Sequence, residues 1–259
     1  MNMTREDMDR LRYAKDLLEN PGLAAKLTHL IGMPFEKAFS RLPAKWNDVV
    51  QEITQKSLKQ ALDAAVRTIN CNDKKSSRDR MHKILVATSG GIGGAFGLPA
   101  LAVELPATTV LMFRSIVDIA RSEGEDVRMI ETKLACLEVF ALGGRSDRDD
   151  SAESGYYAIR AVLAQQVSEA ARYIVERGLA EEGAPALVRL IATVASRFGV
   201  NVTQKVAASA VPLIGAAGGA LINSLFMDHF QNMARGHFII RGLEKKYGPA
   251  EITAWYNRV

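Results

Sequence analysis

Three charged residues recur at helical spacing after a lone acidic residue in an otherwise apolar part of the chain. Glu104 precedes a Leu-Pro pair, and Arg114, Asp118 and Arg121 follow at intervals of four and three residues. Residues at these intervals lie on one face of a helix. The spacing predicts either an internal ladder of ion pairs or a polar site. In the second case Arg114 and Arg121 would supply the cationic contacts to a head group or a partner.

The motifs that mark common catalytic sites are incomplete in this sequence. Ser89 matches the G-x-S-x-G motif at two of three fixed positions, but that motif needs a strand before the serine, and none is predicted there. The glycines around it are not followed by the Lys-Ser/Thr pair of a phosphate-binding loop. We therefore predict no catalytic residue and no cofactor.

Histidines offer little support for a metal site. His229 and His237 are eight residues apart, or about 12 Å along a helix, which is too far to share one zinc ion. We expect the histidines at the surface or at partner contacts, and we predict no metal. One alternative remains, a metal-dependent hydrolase whose ligands meet only in the tertiary structure; its candidate ligands are Glu104, Glu138, Asp228 and His229.

A basic stretch precedes the first apolar segment. The whole chain of 259 residues has a net charge of +4, which does not predict a nucleic-acid-binding protein. Residues 67–83 alone hold six basic and two acidic side chains. Such a local excess suits an anionic lipid surface. We assign five of these residues to a membrane-facing basic cluster: Lys74, Lys75, Arg78, Arg80 and Lys83.

Two long segments, 84–103 and 206–227, contain no charged residue. Both are rich in glycine, which costs a helix interior about 1 kcal/mol relative to alanine. Close approach of helices is the usual gain that offsets this cost. We therefore expect a set of glycines to mediate helix packing: Gly90, Gly93, Gly94, Gly97, Gly215, Gly218 and Gly219.

These segments are long enough to cross a hydrocarbon core of about 30 Å. Their small residues, and Pro99 in the first of them, make stable spanning less favourable. Three interpretations stay open: central helices of a soluble bundle, membrane spans, and conditional contact with a membrane surface.

Helical periodicity extends over most of the chain, and strand signals are nearly absent. We predict an all-α, multi-helix bundle with two central glycine-rich apolar helices packed together and amphipathic helices around them. It forms a single domain, 1–259, with halves 1–142 and 156–259 joined by a polar loop, 143–155. The predicted helices cover 46–69, 106–122, 126–142, 156–177, 185–198, 203–227 and 228–247.

Two blocks resemble the EcsC family of bacterial proteins. The first runs from Gly90 to Asp126 and includes the glycine-rich segment, Glu104-Leu-Pro and Arg114-x-Ile; the second runs from Val211 to Phe226. The resemblance implies a helical, membrane-associated or transport-linked protein, with an ABC-transporter-type membrane protein as a potential partner. It implies no catalytic residue.

Our leading hypothesis is a non-enzymatic helical protein that associates with an anionic membrane surface or lipid. The alternative is a soluble helical protein that binds a lipid or acyl chain in an apolar pocket. Two cysteines without paired spacing indicate a reducing compartment. We therefore expect a cytoplasmic location, or a peripheral one on the cytoplasmic face of the inner membrane.

Overall fold

The computed structural model describes residues 3–19, 23–31, 46–68, 98–143, 155–177, 185–209 and 215–259. Within these ranges every regular element is helical, which confirms the all-α prediction. The helices are α1 (Arg5–Glu19), α2 (Leu23–Ile31), α3 (Trp46–Thr68), α4 (Leu98–Ser122), α5 (Ile130–Glu138), α6 (Gly155–Arg177), α7 (Pro185–Ser209), α8 (Gly215–Tyr247) and α9 (Pro249–Tyr256). A 3-10 turn, Val139–Ala141, follows α5.

Helix α8 is the longest element, with 33 residues and a length of about 50 Å. It packs against α1, α2, α4, α7 and α9. Its contact with α1 depends on Gly236, because a Cβ at this position would lie 2.7 Å from Leu18 Cγ and 2.9 Å from the Ala14 carbonyl oxygen. The glycine therefore lets two helix backbones approach closely.

The deepest part of the bundle is formed by α5 and the 3-10 turn. Every residue from 132 to 142 is buried, including Lys133 and Glu138. The prediction of an amphipathic helix over 126–142 was therefore wrong. α3, α4 and α6 all pack against α5, so its polar positions are covered as well as its apolar ones.

A cluster of phenylalanines lies beside this turn. Phe140 packs against Phe198 and Phe230, with ring centroids 4.8 and 5.3 Å apart, and Phe113 and Phe226 complete the group. All five side chains are buried. Aromatic pairs at these distances add stability beyond the area that they bury. This cluster joins α4, α7, α8 and the turn.

Several predicted helix boundaries were wrong. α4 begins before Pro106, so this proline lies inside the helix rather than at its start. α7 continues through Gly199, at which a Cβ would lie 3.0 Å from the Gln51 amide nitrogen of α3, so packing between helices offsets the glycine. α8 is unbroken at residues 227 and 228, where two helices had been predicted to meet.

Some of the other sequence predictions fall on residues that the structure describes, and some do not. α3 buries Val50, Ser57 and Ala61 as its periodicity predicts. Gly215, Gly218 and Gly219 lie in the first two turns of α8, and Gly219 is buried. Some predictions fall outside the described residues: Gly90, Gly93, Gly94, Gly97, the basic cluster, and most of the polar loop 143–155.

Among the described helices, only α7 has the length and composition to cross a membrane, and more than half of its most apolar stretch is buried inside the protein.

Candidate functional site

The first polar group is centred on Glu104 near the beginning of α4. Its Oε1 accepts hydrogen bonds from Lys205 Nζ at 2.7 Å and from Asn223 Nδ2 at 3.1 Å. The side chain of Lys205 is only 4% exposed, and that of Glu104 is 15% exposed. A charge-assisted hydrogen bond between side chains with so little exposure is stronger than one between neutral groups. We call these three residues the Glu104 cluster.

The Glu104 cluster joins the ends of three helices. Glu104 lies six residues after the start of α4, Asn223 eight after the start of α8, and Lys205 four before the end of α7. At 1.5 Å per residue, each helix end is within about 12 Å of the cluster. The starts of α4 and α8 and the end of α7 therefore meet at one end of the bundle.

Contacts deeper in the bundle agree with this arrangement. Gln231 donates to Ser115 Oγ at 2.8 Å, so α4 and α8 run in the same direction. Phe113 of α4 and Phe198 of α7 both contact Phe140, so α7 runs against α4. The end at which the Glu104 cluster lies is thus fixed by several independent contacts.

The other residues of the predicted polar site do not join Glu104 in this cluster. Arg121 Nη1 lies 3.4 Å from Asp118 Oδ1, and this ion pair follows the ladder interpretation. The side chain of Arg114 is exposed. The ladder is therefore partial, and Glu104 pairs with other helices rather than with its own.

A second polar group lies in the core, where α5, α6 and α8 meet. His237 Nδ1 is 3.1 Å from the Tyr156 hydroxyl, and Arg160 Nη1 is 3.3 Å from the same oxygen. Arg160 also donates to both carboxylate oxygens of Glu244, at 2.7 and 2.9 Å. On the other side of the imidazole, Glu138 Oε2 lies 3.9 Å from His237 Nε2. We call these five residues the Glu138 cluster.

The pKa values of Glu138 and His237 are both shifted toward the uncharged form. Burial raises the pKa of Glu138 to about 7, against the opposing effects of Arg160 and Arg241. Burial also lowers the pKa of His237 well below its usual value, and the same two arginines add to that shift. Desolvation disfavours any charge that has no close partner.

Glu125, next to the Glu138 cluster, shows the opposite behaviour. It accepts a hydrogen bond from Arg241 Nε at 3.1 Å and lies 2.8 Å from Lys245 Nζ. Burial alone would raise its pKa, but Lys245 and Arg241 hold the pKa below its usual value. Arg241 is thus engaged by Glu125 and acts on Glu138 only from a distance.

The two histidines of α8 are not at the surface, so that prediction was wrong. His229 is 2% exposed and His237 is fully buried. Burial lowers the pKa of His229 to about 3, with a smaller effect from Lys26. Gly143, at φ +72°, packs on the His229 ring so closely that a Cβ on Gly143 would lie 2.4 Å from His229 Cε1. Periodicity places both histidines on one long helix but does not reveal that every side of it is covered.

Within the described residues, no group of three or more histidine, cysteine, aspartate or glutamate side chains could hold a metal ion. Glu104 and Glu138 belong to the two separate clusters.

Lys205 and Asn223, the partners of Glu104, were not predicted from the sequence. One signal could have found the first. Lys205 is the only charged residue between Arg197 and Asp228, as Glu104 is the only acidic one between Lys83 and Asp118. A lone cation and a lone anion in two apolar segments favour pairing, because each would otherwise be buried without a partner. Tyr156 and Arg160 have no comparable signal.

Comparison with known proteins gives one result. No curated protein and no solved structure is significantly similar to the chain. The model of one family does match, over residues 6–243, which is nearly the whole length. This range includes the Glu104 cluster and all but one residue of the Glu138 cluster. The chain is a member of the EcsC protein family.

Proposed function

We propose that this protein is a non-enzymatic helical protein that associates reversibly with anionic membranes. It binds through the basic cluster at 74–83 and through the end of the bundle that carries the Glu104 cluster. The carrying observation is the pair of hydrogen bonds from Lys205 and Asn223 to Glu104, which brings three helix ends together.

This observation matters because charge-free stretches of sequence lead into two of these helix ends. The chain enters α4 after residues 84–97 and enters α8 after residues 210–214, and neither stretch contains a charge. The basic cluster precedes the first stretch in the sequence. Apolar sequence and adjacent positive charge together are the combination that binds an anionic lipid surface.

Exposed apolar side chains support membrane binding through this end of the bundle. Val103, beside Glu104, is 78% exposed, and Leu221, two residues before Asn223, is 46% exposed. Single exposed apolar residues are common on soluble proteins. Here two of them flank a buried ion pair at the helix ends, where they extend the apolar surface available to lipid.

Vesicle flotation tests the proposal. The full chain is mixed with phosphatidylcholine vesicles that contain or lack phosphatidylglycerol, at low and at high salt. We expect flotation with the anionic vesicles at low salt and its loss at high salt. Since each basic residue near such a surface contributes about 1 kcal/mol, neutralising all five cluster residues to glutamine should weaken partitioning by roughly 100-fold or more.

The control variant replaces five exposed basic residues elsewhere by glutamine: Arg12, Lys59, Arg172, Arg189 and Arg258. It loses the same charge and should keep most of the binding. A second comparison replaces Val103 and Leu221 by asparagine, against Val162 and Val175 of α6, which are 63% and 68% exposed. Only the first pair should weaken flotation.

The proposal is overturned if the protein does not float with anionic vesicles at low salt, or if both basic variants lose binding equally. Co-purification of a stoichiometric lipid with protein that does not float would instead favour an enclosed apolar pocket.

A further inference from the structure

The hydrogen bonds of the Glu138 cluster have a direction. Arginine has donors but no acceptor. Because Arg160 Nη1 donates to the Tyr156 oxygen, the only acceptor left for the tyrosine proton among the described contacts is His237 Nδ1. His237 must then carry its own proton on Nε2, the nitrogen that faces Glu138 at 3.9 Å. The salt bridge to Glu244 fixes Arg160 and thereby the whole chain of donors.

His237 and Glu138, the two groups at the end of this series of hydrogen bonds, are buried and have no hydrogen-bond partner where they face each other. His237 Nε2 makes no hydrogen bond, and the residue is fully buried. Glu138 is 6% exposed, and its Oε2 lies 3.9 Å from His237 Nε2, which is longer than a hydrogen bond. Buried polar groups in native proteins nearly always have a partner. An unfilled donor and acceptor that face each other therefore call for an explanation.

We propose that Glu138 and His237 form a proton-binding site in the core, at which the carboxyl group of Glu138 exchanges one proton with solvent while the imidazole keeps its proton on Nε2. When the acid loses its proton, the carboxylate becomes a strong acceptor for the Nε2–H. A charge-assisted bond of this kind is about 2.8 Å long. Deprotonation should therefore shorten the gap and draw the end of α5 toward α8.

This movement would link the two halves of the sequence. α5 lies before the polar loop, and α6 and α8 lie after it. The site joins all three helices through Glu138, Tyr156 and His237. The proposal does not depend on membrane binding.

The electrostatic surroundings place the exchange near neutral pH. Burial raises the pKa of Glu138 from 4.5 to about 7, so its proton is held roughly 300-fold more tightly in the folded than in the unfolded chain. The other ionisable groups that act on Glu138 or surround it are Arg160 and Tyr156 of α6, Arg241 and Glu244 of α8, Lys133 and Cys136 of α5, and Glu125 before α5. Arg160 and Arg241, the cations that act on Glu138, are paired with Glu244 and Glu125.

The two groups change stability in opposite directions with pH. Glu138, whose pKa is raised, contributes stability that is present below pH 4.5 and is lost as the pH rises through about 7. His237, whose pKa is lowered, contributes stability that is present above pH 6.5 and is lost as the pH falls. The pair is therefore most favourable at about pH 5 to 6, where it holds one proton.

NMR of the natural protein tests the site directly. The carboxyl carbon of Glu138, assigned through its side-chain couplings, is followed from pH 4 to 9, and imidazole nitrogen spectra identify the protonated nitrogen of His237. We expect a midpoint near pH 7 and a proton on Nε2 throughout. A midpoint near 4.5, or a proton on Nδ1, overturns the proposal.

A matched pair of variants gives a second readout. Glu138→Gln removes the titrating group, whereas Glu131→Gln changes an exposed carboxylate on the same helix. Between pH 5 and 8, the unfolding equilibrium constant of the natural protein should rise relative to that of Glu138→Gln by a factor on the order of 50. The Glu131→Gln profile should run parallel to the natural one. Parallel profiles for both variants would contradict the proposal.

Discussion

The Glu104 and Glu138 clusters each hold a carboxyl group, half-buried in the first and buried in the second, and they give it different partners. Glu104 accepts two hydrogen bonds, one of them from a lysine at 2.7 Å. Glu138 accepts none within 3.5 Å, although Arg160 and Arg241 act on it from a distance. The first arrangement fixes helix ends, and the second leaves an acid whose proton is exchangeable near neutral pH. Burial raises the pKa of a carboxyl group such as Glu138, and close donors oppose that effect, as they do at Glu125.

The largest expected effect is at the Glu104 cluster. Lys205→Met keeps the apolar stem but leaves Glu104 with Asn223 alone. We expect a loss of about 3 kcal/mol in the free energy of unfolding, at the low end of the range for buried pairs because Glu104 keeps some exposure. Urea denaturation measures it. The double variant with Glu104→Gln should regain more than half of the loss; a sum of two losses would show that the pair is not a unit.

Tyr156→Phe tests the Glu138 cluster. The change leaves His237 Nδ1 without its donor and removes an acceptor from Arg160. We expect a loss of about 1 to 2 kcal/mol, as for other buried groups left unsatisfied. Tyr157→Phe is the comparison, since its hydroxyl contacts Glu244 at 3.4 Å and Thr253 but does not contact His237. Equal losses for the two tyrosines would argue against a directed chain of donors.

Asp7 sharpens the contrast between paired and unpaired carboxyl groups. Its Oδ2 accepts hydrogen bonds from Lys246, Tyr247 and Thr4 at 2.6, 2.6 and 2.8 Å, and these bonds lower its pKa to about 2. A lowered pKa gives stability that is present above about pH 4 and is lost as the pH falls through 2. Asp7→Asn should therefore be less stable than the natural protein at pH 7, by a margin that shrinks in acid. A constant margin in thermal unfolding from pH 7 to 2 would contradict this origin.

The smallest effect is expected at Arg114, which begins the predicted stripe of Arg114, Asp118 and Arg121 and was assigned to the same polar site as Glu104. Its side chain is exposed, so Arg114→Ala should change the free energy of unfolding by less than about 0.5 kcal/mol. Denaturant titration beside Lys205→Met provides the measurement. A loss above 1 kcal/mol would mean that the stripe acts as a whole.

Periodicity predicted the helical class and the buried face of α3 well, because an amphipathic pattern reports which side of an isolated helix avoids water. It failed for α5 and for the histidines of α8. These elements are covered on several sides, so their polar residues look solvent-exposed by sequence although they are buried. Helix boundaries failed where a glycine or proline is accommodated by a neighbouring helix, as at Gly199.

The candidate site was likewise predictable from the sequence only in part. Glu104 stood out because it is an isolated acid in an apolar stretch, and the structure gives it a buried role. Its partners lie 101 and 119 residues away, and no local pattern connects positions so far apart. Membership of the EcsC family, by contrast, was evident from two blocks of sequence and holds over residues 6–243.

The sequence by itself determined the all-α class, the family, the charge-free segments and the isolated charges at Glu104 and Lys205. Each of these depends on residue type and short-range spacing. Only the tertiary structure decided that these two charges pair and that Glu138 faces His237 without a hydrogen bond. It also brought the ends of α4, α7 and α8 together. The pKa of a carboxyl group depends on donors within a few ångströms, and in this bundle those donors come from distant helices.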